Sequence, residues 1–312
     1  MRKILFLFLI TILSNTYGQI TTTSIKKDTP KTEFIYDGSV NYLGENAMGY
    51  EGQVLYVNGI SEGLQGWGYS DFSTELKFDS YRNKIYKCCS EKSPYNSKYS
   101  EVFGKYFTVD KVIPHPKANE LSIYKDEFFF EMTEKESGEK VYYKYSARFN
   151  HGFHFIVVKH FEYLKDLYVG KKYRISFSTM KNLETNKEEA VKPADLWTIE
   201  DVTVDDKEYK IKLVAVNSTG FKTLLNIDYL TDSKPNRMIM NETDYNKYLK
   251  KFGAKKWNRI FVDREYYIGD TEEVVRLVKG NPNSINYASY GDQWVYDYSY
   301  LYFKNGIYTS YN

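Results

Sequence analysis

The 312-residue chain is poor in several residue types, and each shortage excludes a class of protein. Its only two cysteines are adjacent, whereas a disulfide-built scaffold has more cysteines and spaces them apart. No segment after Leu13 reaches the roughly 18 apolar residues that a membrane helix needs. Basic and acidic residues number 43 and 41, which leaves no strong basic field for phosphate binding. We therefore expect no nucleic-acid partner and no transmembrane segment in the mature chain.

The cysteine pair, Cys88 and Cys89, leaves two chemical states open. Neighbouring cysteines form either an unusual vicinal disulfide or two free thiols. A cysteine nucleophile would also need a nearby base, and the closest histidine in the sequence is His115. The sequence therefore predicts no catalytic cysteine.

Aromatic residues are what the chain has in excess, with 32 Tyr, 19 Phe and 4 Trp. Only seven prolines and six methionines accompany them. Aromatic rings fit the pleated, half-buried surface of a sheet, so this composition favours strands. The predicted fold class is mainly β.

The first residues have the three-part layout of a secretory signal peptide. Arg2 and Lys3 are basic, residues 4–13 are apolar, and a short polar stretch ends in a small residue before Gln19. We expect cleavage after residue 18, then a flexible polar lead-in over 19–33. No cysteine follows the cleavage point, so the protein is expected to be exported to the periplasm or cell surface without being a lipoprotein. Without the leader's two cations, the mature chain has equal numbers of basic and acidic residues.

Two stretches of the mature chain resemble each other. In both, the first strand contains an aromatic residue and a glycine. The second strand, within 106–112 and 196–202, contains an aromatic residue, a threonine, a β-branched residue and an acid in succession. We predict two small β-modules, 34–159 and 160–232, with an insertion at about 60–100 in the first. They form a possible internal repeat, and the alternative is that short aromatic strands merely look alike.

A turn-rich linker at 232–236 separates the modules from a C-terminal α+β domain, 236–312. Helix-start residues at 241–244 precede a first helix that ends at Gly253, and a second is predicted over 270–279, with Asp270 and Glu273 in capping-box spacing. Three strands follow at 293–296, 300–303 and 307–310. Asn305 and Gly306 predict a type I′ hairpin between the last two strands, because that turn needs positive φ at both positions. The expected order is ααβββ.

This domain resembles the small ααβββ domain of the SmpA/OmlA outer-membrane assembly lipoproteins, a fold shared with the β-lactamase inhibitor proteins. The resemblance rests on residues 269–282, 292–296 and 300–306, with the Gly-x-Thr opening and the later Gly-x-Pro in matching spacing. The basic lead-in at 248–253 is also similar to that of uncharacterised envelope proteins of Bacteroidetes-like bacteria. Asp270 stands where the family usually has Met, and the lipidated cysteine is missing. The resemblance implies the fold and a domain that works by protein contact, but not the assembly role.

Candidate chemistry is sparse. His151 and His154 point to opposite faces of a predicted strand, and His160 lies too far along the chain to converge with them on zinc. The acidic run at 200–206 lacks the loop pattern that wraps calcium, so a solvated turn is the favoured interpretation. The basic stretch at 247–259 is either a solvated helix face or a surface attracted to anionic lipid or wall polymer. We predict no metal, cofactor or catalytic residues.

Two function classes remain. The first is a non-catalytic envelope protein that binds a protein partner or a wall component through its C-terminal domain and β-modules. The second is a hydrolase that acts on an envelope polymer with carboxylates from the β-modules. An aromatic surface would favour binding, whereas a pair of buried carboxylates in a cleft would favour hydrolysis. Exposed tyrosine is enriched at binding surfaces, so the candidate partner-binding residues are aromatics of the last strands. They are Trp294, Tyr296, Tyr298, Tyr300 and Tyr302.

Overall fold

The structure, a computed structural model, describes residues 35–78, 84–230 and 238–312. The expected leader (1–18), lead-in (19–33) and linker (232–236) lie outside these residues. More of the described residues lie in strands than in helices, and the sheets are antiparallel. The prediction of a mainly β protein is therefore confirmed.

The first module is built on a six-stranded sheet. Its strands are β1 (Val54–Val57), β2 (Phe72–Ser73), β3 (Tyr106–Pro114), β4 (Glu127–Glu134), β5 (Lys140–Ser146) and β6 (Phe155–Val157). They pair in the order β2-β5-β4-β3-β1-β6. Two short helices, α1 (Glu62–Gln65) and α2 (Tyr99–Val102), and 3₁₀ helices at Gly44–Tyr50 and Ser122–Tyr124 complete it. Strand β5 buries alternate residues, as expected for a half-buried strand whose side chains alternate between two faces.

The second module is built on a five-stranded sheet. Its elements are α3 (Val158–Tyr168), β7 (Lys172–Ile175), β8 (Thr179–Lys181), β9 (Glu188–Ala190), β10 (Asp195–Val204), β11 (Ile211–Asn217), β12 (Lys222–Asn226), a 3₁₀ helix at Ile227–Tyr229 and β13 (Ile239–Asn241). The sheet order is β12-β11-β10-β7-β13, and β8 pairs only with β9. Leu164 and Tyr168 of α3 pack into the same core as Trp197 of β10.

The predicted module boundaries need correction at both ends of the second module. Helix α3 begins at Val158, directly after β6, rather than within a new module at residue 160. Strand β13, which the sequence assigned to the C-terminal domain, instead pairs with β7 of the second sheet. Pairing between strands so far apart in sequence has no local signature, which is why the composition-based boundaries missed it.

The two sheets repeat one arrangement. The strands β1-β3-β4-β5 and β7-β10-β11-β12 are neighbours in corresponding order, all antiparallel. Each second strand carries a bulge at its acid, Asp110 in β3 and Glu200 in β10. Gly52 and Gly170, both at positive φ, donate their N–H groups to the carbonyl of the residue before the bulge, at 2.8 and 2.9 Å. The two modules therefore share their strand order, the position of one bulge and the glycine hydrogen bond beside it.

The C-terminal module has one more helix and one more strand than the predicted ααβββ order. Its elements are α4 (Glu242–Phe252), α5 (Ala254–Phe261), α6 (Glu272–Lys279), β14 (Ser284–Asn286), β15 (Asp292–Tyr296), β16 (Ser299–Lys304) and β17 (Ile307–Tyr311). Gly253, at φ +76°, ends α4 as predicted, but α5 starts at the next residue. The additional helix was missed because its charged residues read as a continuation of the polar surface of α4.

Two local predictions in this module are confirmed and one is wrong. Asn241 caps α4 by accepting a hydrogen bond from Asp244 N at 2.8 Å. Asn305 and Gly306 both have positive φ, +52° and +74°, between β16 and β17. Asp270 does not cap α6, whose N-cap is Thr271 without a side-chain hydrogen bond. The Asp270 carboxylate instead accepts hydrogen bonds from other partners, described below.

Tyr209, from the turn between β10 and β11, inserts into the first module. Its ring lies against Gly59, where any added side chain would overlap it. Its carbonyl accepts a hydrogen bond from Asn58 Nδ2 at 2.5 Å, and its hydroxyl accepts one from Gln65 Nε2 at 3.1 Å. The ring also lies near Phe103, with 6.3 Å between ring centroids. This side chain joins the second module to the first.

The predicted insertion contains α1, β2 and α2, together with the two cysteines. Cys88 and Cys89 form a vicinal disulfide, which resolves the alternative that the sequence left open. Both cysteines are exposed, and Cys88 forms a β-bridge with the buried Ser97.

Replacing both cysteines with serine should change the free energy of unfolding by less than about 1 kcal/mol. A link between adjacent residues closes almost no chain loop, so it removes little entropy from the unfolded chain, unlike a structural disulfide, worth about 2–5 kcal/mol. Urea unfolding of the wild type and the double serine variant measures the difference. A loss above about 2 kcal/mol would show that the disulfide anchors the insertion.

Candidate partner-binding surface

The C-terminal sheet presents two different faces because side chains alternate along each strand. One face packs against α6, where Val275 is buried among side chains of the sheet. Those side chains are Trp294, Leu301, Phe303 and Tyr308. The opposite face carries a polar and aromatic surface, which we call the outer tyrosine face. It consists of Asn286, Gln293, Val295, Tyr300 and Tyr302.

The five candidate aromatics divide between core, face and turn. Trp294 is 1% exposed, so the prediction that it binds a partner is wrong. It fills the core beneath α6, and the Arg276 guanidinium stacks 4.1 Å from the centre of its ring. Tyr296 points the same way, and its hydroxyl donates a hydrogen bond to Gly280 O at 2.7 Å. Core packing therefore uses both side chains.

The other three candidates are available to solvent. Tyr300 is 43% exposed and Tyr302 is half-buried, side by side on the outer face of β16. Tyr298 is fully exposed at the turn between β15 and β16. The structure thus brings Tyr300 and Tyr302 together on one face and places Tyr298 at its end.

A row of hydrogen bonds holds the outer tyrosine face in one arrangement. Asn286 Nδ2 donates to Gln293 Oε1 at 2.9 Å, and Gln293 Nε2 donates to the Tyr302 hydroxyl at 3.0 Å. The Thr309 hydroxyl donates to Tyr302 O at 3.0 Å. These contacts join four neighbouring strands, β14 to β17. Side chains fixed before binding lose less conformational entropy when a partner arrives.

Three further tyrosines near this sheet are strongly exposed and were not singled out from the sequence. Tyr287 and Tyr290 lie in the loop between β14 and β15, and Tyr311 ends β17, all at least 72% exposed. The turn signals around Gly291, which has φ +142°, could have placed the first two outside the core. Together with Tyr298, they place exposed aromatic rings at both ends of the strands of this sheet.

The basic stretch at 247–259 is partly neutralised by acids from later elements. Lys256 and Arg259 of α5 each lie 2.9 Å from the buried carboxylate of Asp270, and Lys251 of α4 pairs with Glu273 of α6. The sequence could not show this pairing because the acids follow the stretch by more than ten residues. The uniform positive surface considered for lipid or polymer binding is therefore interrupted.

The Asp270 carboxylate is the most enclosed charge of this module. It accepts hydrogen bonds from Arg259 Nη2 and from Tyr267 N, both at 2.9 Å. Burial by itself raises its pKa, but the bonds from Arg259, Tyr267 N and Lys256 outweigh burial and hold the pKa below its usual value. This ionised group ties α5 to the residues that precede α6.

The histidines and acids considered for metal binding have other surroundings. His160 Nδ1 lies 2.7 Å from Gly38 O, and the His154 ring packs edge-on to Tyr69. Within the described ranges, no three His, Cys, Asp or Glu side chains are grouped so that they could hold a metal ion. Asp205, in the acidic run, bonds to Lys212 Nζ at 2.9 Å and to two backbone N–H groups of its turn.

The largest of three described clefts, about 580 Å³, lies where α3 and the second sheet meet the first module. Its lining mixes aliphatic and aromatic side chains with amides, and Asp228 is its single carboxylate. Of the two smaller clefts, the larger has no carboxylate in its lining and the smaller has one. Glu134, a fully buried acid, accepts hydrogen bonds from the N–H groups of its own turn and pairs with Lys105 at 3.4 Å. These clefts contain no carboxylate pair.

Comparison with known proteins adds no family to this picture. No protein-family model matches the chain, and no curated protein or solved structure is significantly similar to it. Among the residues that the structure describes, no helix has both the length and the apolar character to cross a membrane.

Proposed function

We propose that this is an exported, non-catalytic protein of the cell envelope whose C-terminal module binds a protein partner or a wall component. The observation that carries the proposal is the outer tyrosine face, an aromatic and amide surface beside which β16 also presents the exposed Lys304. The resemblance of residues 269–306 to the SmpA/OmlA domain is consistent with a role by contact. The signal-peptide pattern of residues 1–18 supports export.

Tyrosine suits such a surface for physical reasons. It offers a large, rigid area and a hydroxyl, and it loses little conformational entropy when a partner covers it. Tyr300 and Tyr302 lie two residues apart on one strand, so their rings are neighbours on the same face. The amides of Asn286 and Gln293 add donors and acceptors beside the rings.

Hydrolysis receives less support from the described carboxylates. Burial raises the pKa of Asp71, but Asp71 lines none of the three clefts. The two buried acids, Glu134 and Asp270, are bonded to cations and backbone N–H groups. Such contacts stabilise the ionised form of a carboxyl, whereas a general acid needs a raised pKa. Binding is therefore the function that the geometry supports best.

Replacing Tyr300 and Tyr302 together with alanine should weaken partner capture by at least about tenfold, which corresponds to 1.4 kcal/mol. The bait is the whole mature protein in envelope extract, with capture followed by quantitative mass spectrometry. A parallel assay measures cosedimentation with purified wall polymer. The two readouts distinguish a protein partner from a wall component.

Tyr142→Ala is the matched control, because Tyr142 is a half-buried tyrosine of β5 in the first module. It should leave both readouts unchanged. Capture that survives in the Tyr300/Tyr302 variant would remove the outer tyrosine face as the binding site. Turnover of wall polymer by the purified protein, with no partner captured, would favour the hydrolase.

Export is tested separately on protein from its native host. We expect the mature chain to begin at or near Gln19, because the leader pattern ends there. Intact-mass measurement of envelope and soluble fractions checks the cleavage point. Recovery of a chain that retains Met1 or Arg2 would show that the segment is not processed.

A further inference from the structure

The C-terminal sheet is a third copy of the arrangement seen in the first two modules. Strands β14-β15-β16-β17 are antiparallel neighbours in the same order as β1-β3-β4-β5 and β7-β10-β11-β12. The second strand of each set buries one large aromatic residue: Phe107, Trp197 or Trp294. That ring lies opposite the equivalent residue of the first strand in each case: Leu55, Tyr173 or Ile285.

In the first two copies, the first strand also has a neighbour on its outer side. Strand β6 pairs antiparallel with β1, and β13 pairs antiparallel with β7. Both neighbours are three-residue strands that lead directly into a helix. Their registers agree, since Val157 lies opposite Leu55 and Asn241 lies opposite Tyr173.

In the third copy this position is vacant among the described residues. Strand β14 is the edge of its sheet, and among the described strands it pairs with β15 alone. Apart from the ladder with β15, no backbone hydrogen bond joins residues 284–287 to another described element. An edge of this kind presents unpaired N–H and C=O groups to an incoming strand.

The exposure of Tyr287 shows where an outer strand beside β14 would pack. Val57 and Ile175 are both fully buried, and each lies opposite an apolar residue of the neighbouring strand, Phe155 or Ile239. The register of β14 with β15 makes Tyr287 the equivalent residue, and it is 77% exposed. An apolar side chain opposite Tyr287 would cover it as the other two are covered.

We propose that the outer edge of β14 accepts an extended, apolar segment of a partner protein, paired antiparallel as a fifth strand. Strand addition of this type takes its affinity from backbone hydrogen bonds and its specificity from alternate side chains. The site is the backbone edge of β14, which shares the Asn286 side chain with the outer tyrosine face but neither of its tyrosines, so it goes beyond the proposed function. The partner protein then supplies to the third copy the outer strand that the chain itself supplies to the first two copies.

In the first two copies, the outer strand is the segment that leads into the next module. In a second copy of the chain, the corresponding segment would be the one that leads into its first module, and this segment is already bound within its own chain. Lys159 Nζ donates to Tyr36 O at 2.6 Å, and His160 Nδ1 lies 2.7 Å from Gly38 O. Asn41 Nδ2 donates to Phe155 O at 2.7 Å, and Asn41 Oδ1 accepts from Val157 N at 2.8 Å. Residues 36–41 thus lie along β6 and α3, which favours a different protein as the occupant.

Disulfide trapping with a peptide tests the site, using the chain's own β6 sequence as the probe. The probe is a synthetic peptide of residues 152–159 carrying Ile156→Cys, and the protein is the whole mature chain with Cys88→Ser, Cys89→Ser and Asn286→Cys. In the register of the first two copies, position 156 of the peptide lies directly opposite position 286. Residues directly opposite have Cβ atoms about 4.5–5.5 Å apart, near the separation that a disulfide spans.

We expect Asn286→Cys to be trapped at least tenfold faster than Ser284→Cys in the same background. Ser284 is equally exposed but lies two residues out of register, about 7 Å along the strand. A peptide that also carries Val158→Pro should trap slowly: the N–H of Val157 faces Asn41 and not the ladder, whereas residue 158 alternates with position 156 toward the paired strand, and proline lacks the N–H that a ladder requires. Adding Tyr300→Ala and Tyr302→Ala should leave trapping unchanged, which keeps this result separate from that of the outer tyrosine face.

Two outcomes would overturn the proposal. Equal trapping at positions 284 and 286, or trapping at 286 no faster than with the proline peptide, would mean that no strand adds in register. Sedimentation of the peptide-free protein as a dimer that the peptide dissociates would mean that a second copy, and not a partner protein, occupies the edge.

Discussion

Gly59→Ala should lower the free energy of unfolding by about 1–3 kcal/mol, the range for overpacking a well-filled site. The added methyl group would overlap the ring of Tyr209, and its nearest atoms belong to the rigid ring itself. That ring has little room to move, since hydrogen bonds hold the Tyr209 carbonyl and hydroxyl to Asn58 and Gln65. The substitution should therefore displace Tyr209 and loosen the junction between the first two modules. Urea unfolding monitored by far-UV circular dichroism measures the loss.

A double-mutant cycle identifies the cause. In a Tyr209→Ala background, Gly59→Ala should cost less than about 0.5 kcal/mol, because the ring that the methyl group meets is gone. Gly63→Ala is the matched control: Gly63 lies in α1 with nothing within 4 Å of an added Cβ, so its change should be near zero or slightly stabilising. Additive costs for Gly59→Ala and Tyr209→Ala would contradict the steric explanation.

Asp270→Asn should destabilise the C-terminal module by about 3 kcal/mol, as expected when a buried ion pair loses one partner. The substitution leaves the Arg259 and Lys256 cations without their shared carboxylate, and Arg259 is mostly enclosed. Hydrogen exchange of amides in α5 and α6 should rise more than that of the first module. Asp263→Asn, at an exposed neighbouring acid, removes the same charge and should cost less than about 0.5 kcal/mol.

The same carboxylate predicts a pH dependence with a definite sign. Its pKa is lower in the folded protein than in the unfolded chain, so ionised Asp270 stabilises the fold above the unfolded value of about 3.9. That stabilisation is lost as the pH falls through the folded pKa. The difference in unfolding free energy between wild type and Asp270→Asn should therefore shrink below about pH 4. A difference that stays constant from pH 6 to pH 3 would show that the charge of Asp270 is not what stabilises the module.

Features that depend on a few neighbouring residues could be predicted from the sequence. Asn241 caps a helix and Gly253 ends it, because both roles are fixed by local hydrogen bonding and backbone freedom. The Asn305-Gly306 hairpin follows from the positive φ that its turn requires. The two sequence stretches with an acid after a β-branched residue do share one bulge, at Asp110 and Glu200.

The candidate surface could be predicted only in part. Alternation along β15 and β16 separates two sets of aromatics, but it does not say which set packs against a helix. The structure puts Trp294 in the core and Tyr300 on the outer face, since α6 covers only one side of the sheet. The third copy escaped notice because Val295 replaces the threonine of the earlier motif and three helices replace one.

By itself, the sequence determined the β-rich class, the two ends of α4, the hairpin and the strand alternation, all of which depend on residues a few positions apart. Only the tertiary structure decided that β6 and β13 close the sheets of preceding modules, that Tyr209 packs on Gly59 and that Asp270 pairs with Lys256 and Arg259. Strand and module partners are selected by shape, burial and hydrogen bonding between segments distant in sequence. No local pattern records those contacts, and they leave the outer side of β14 without a paired strand among the described residues.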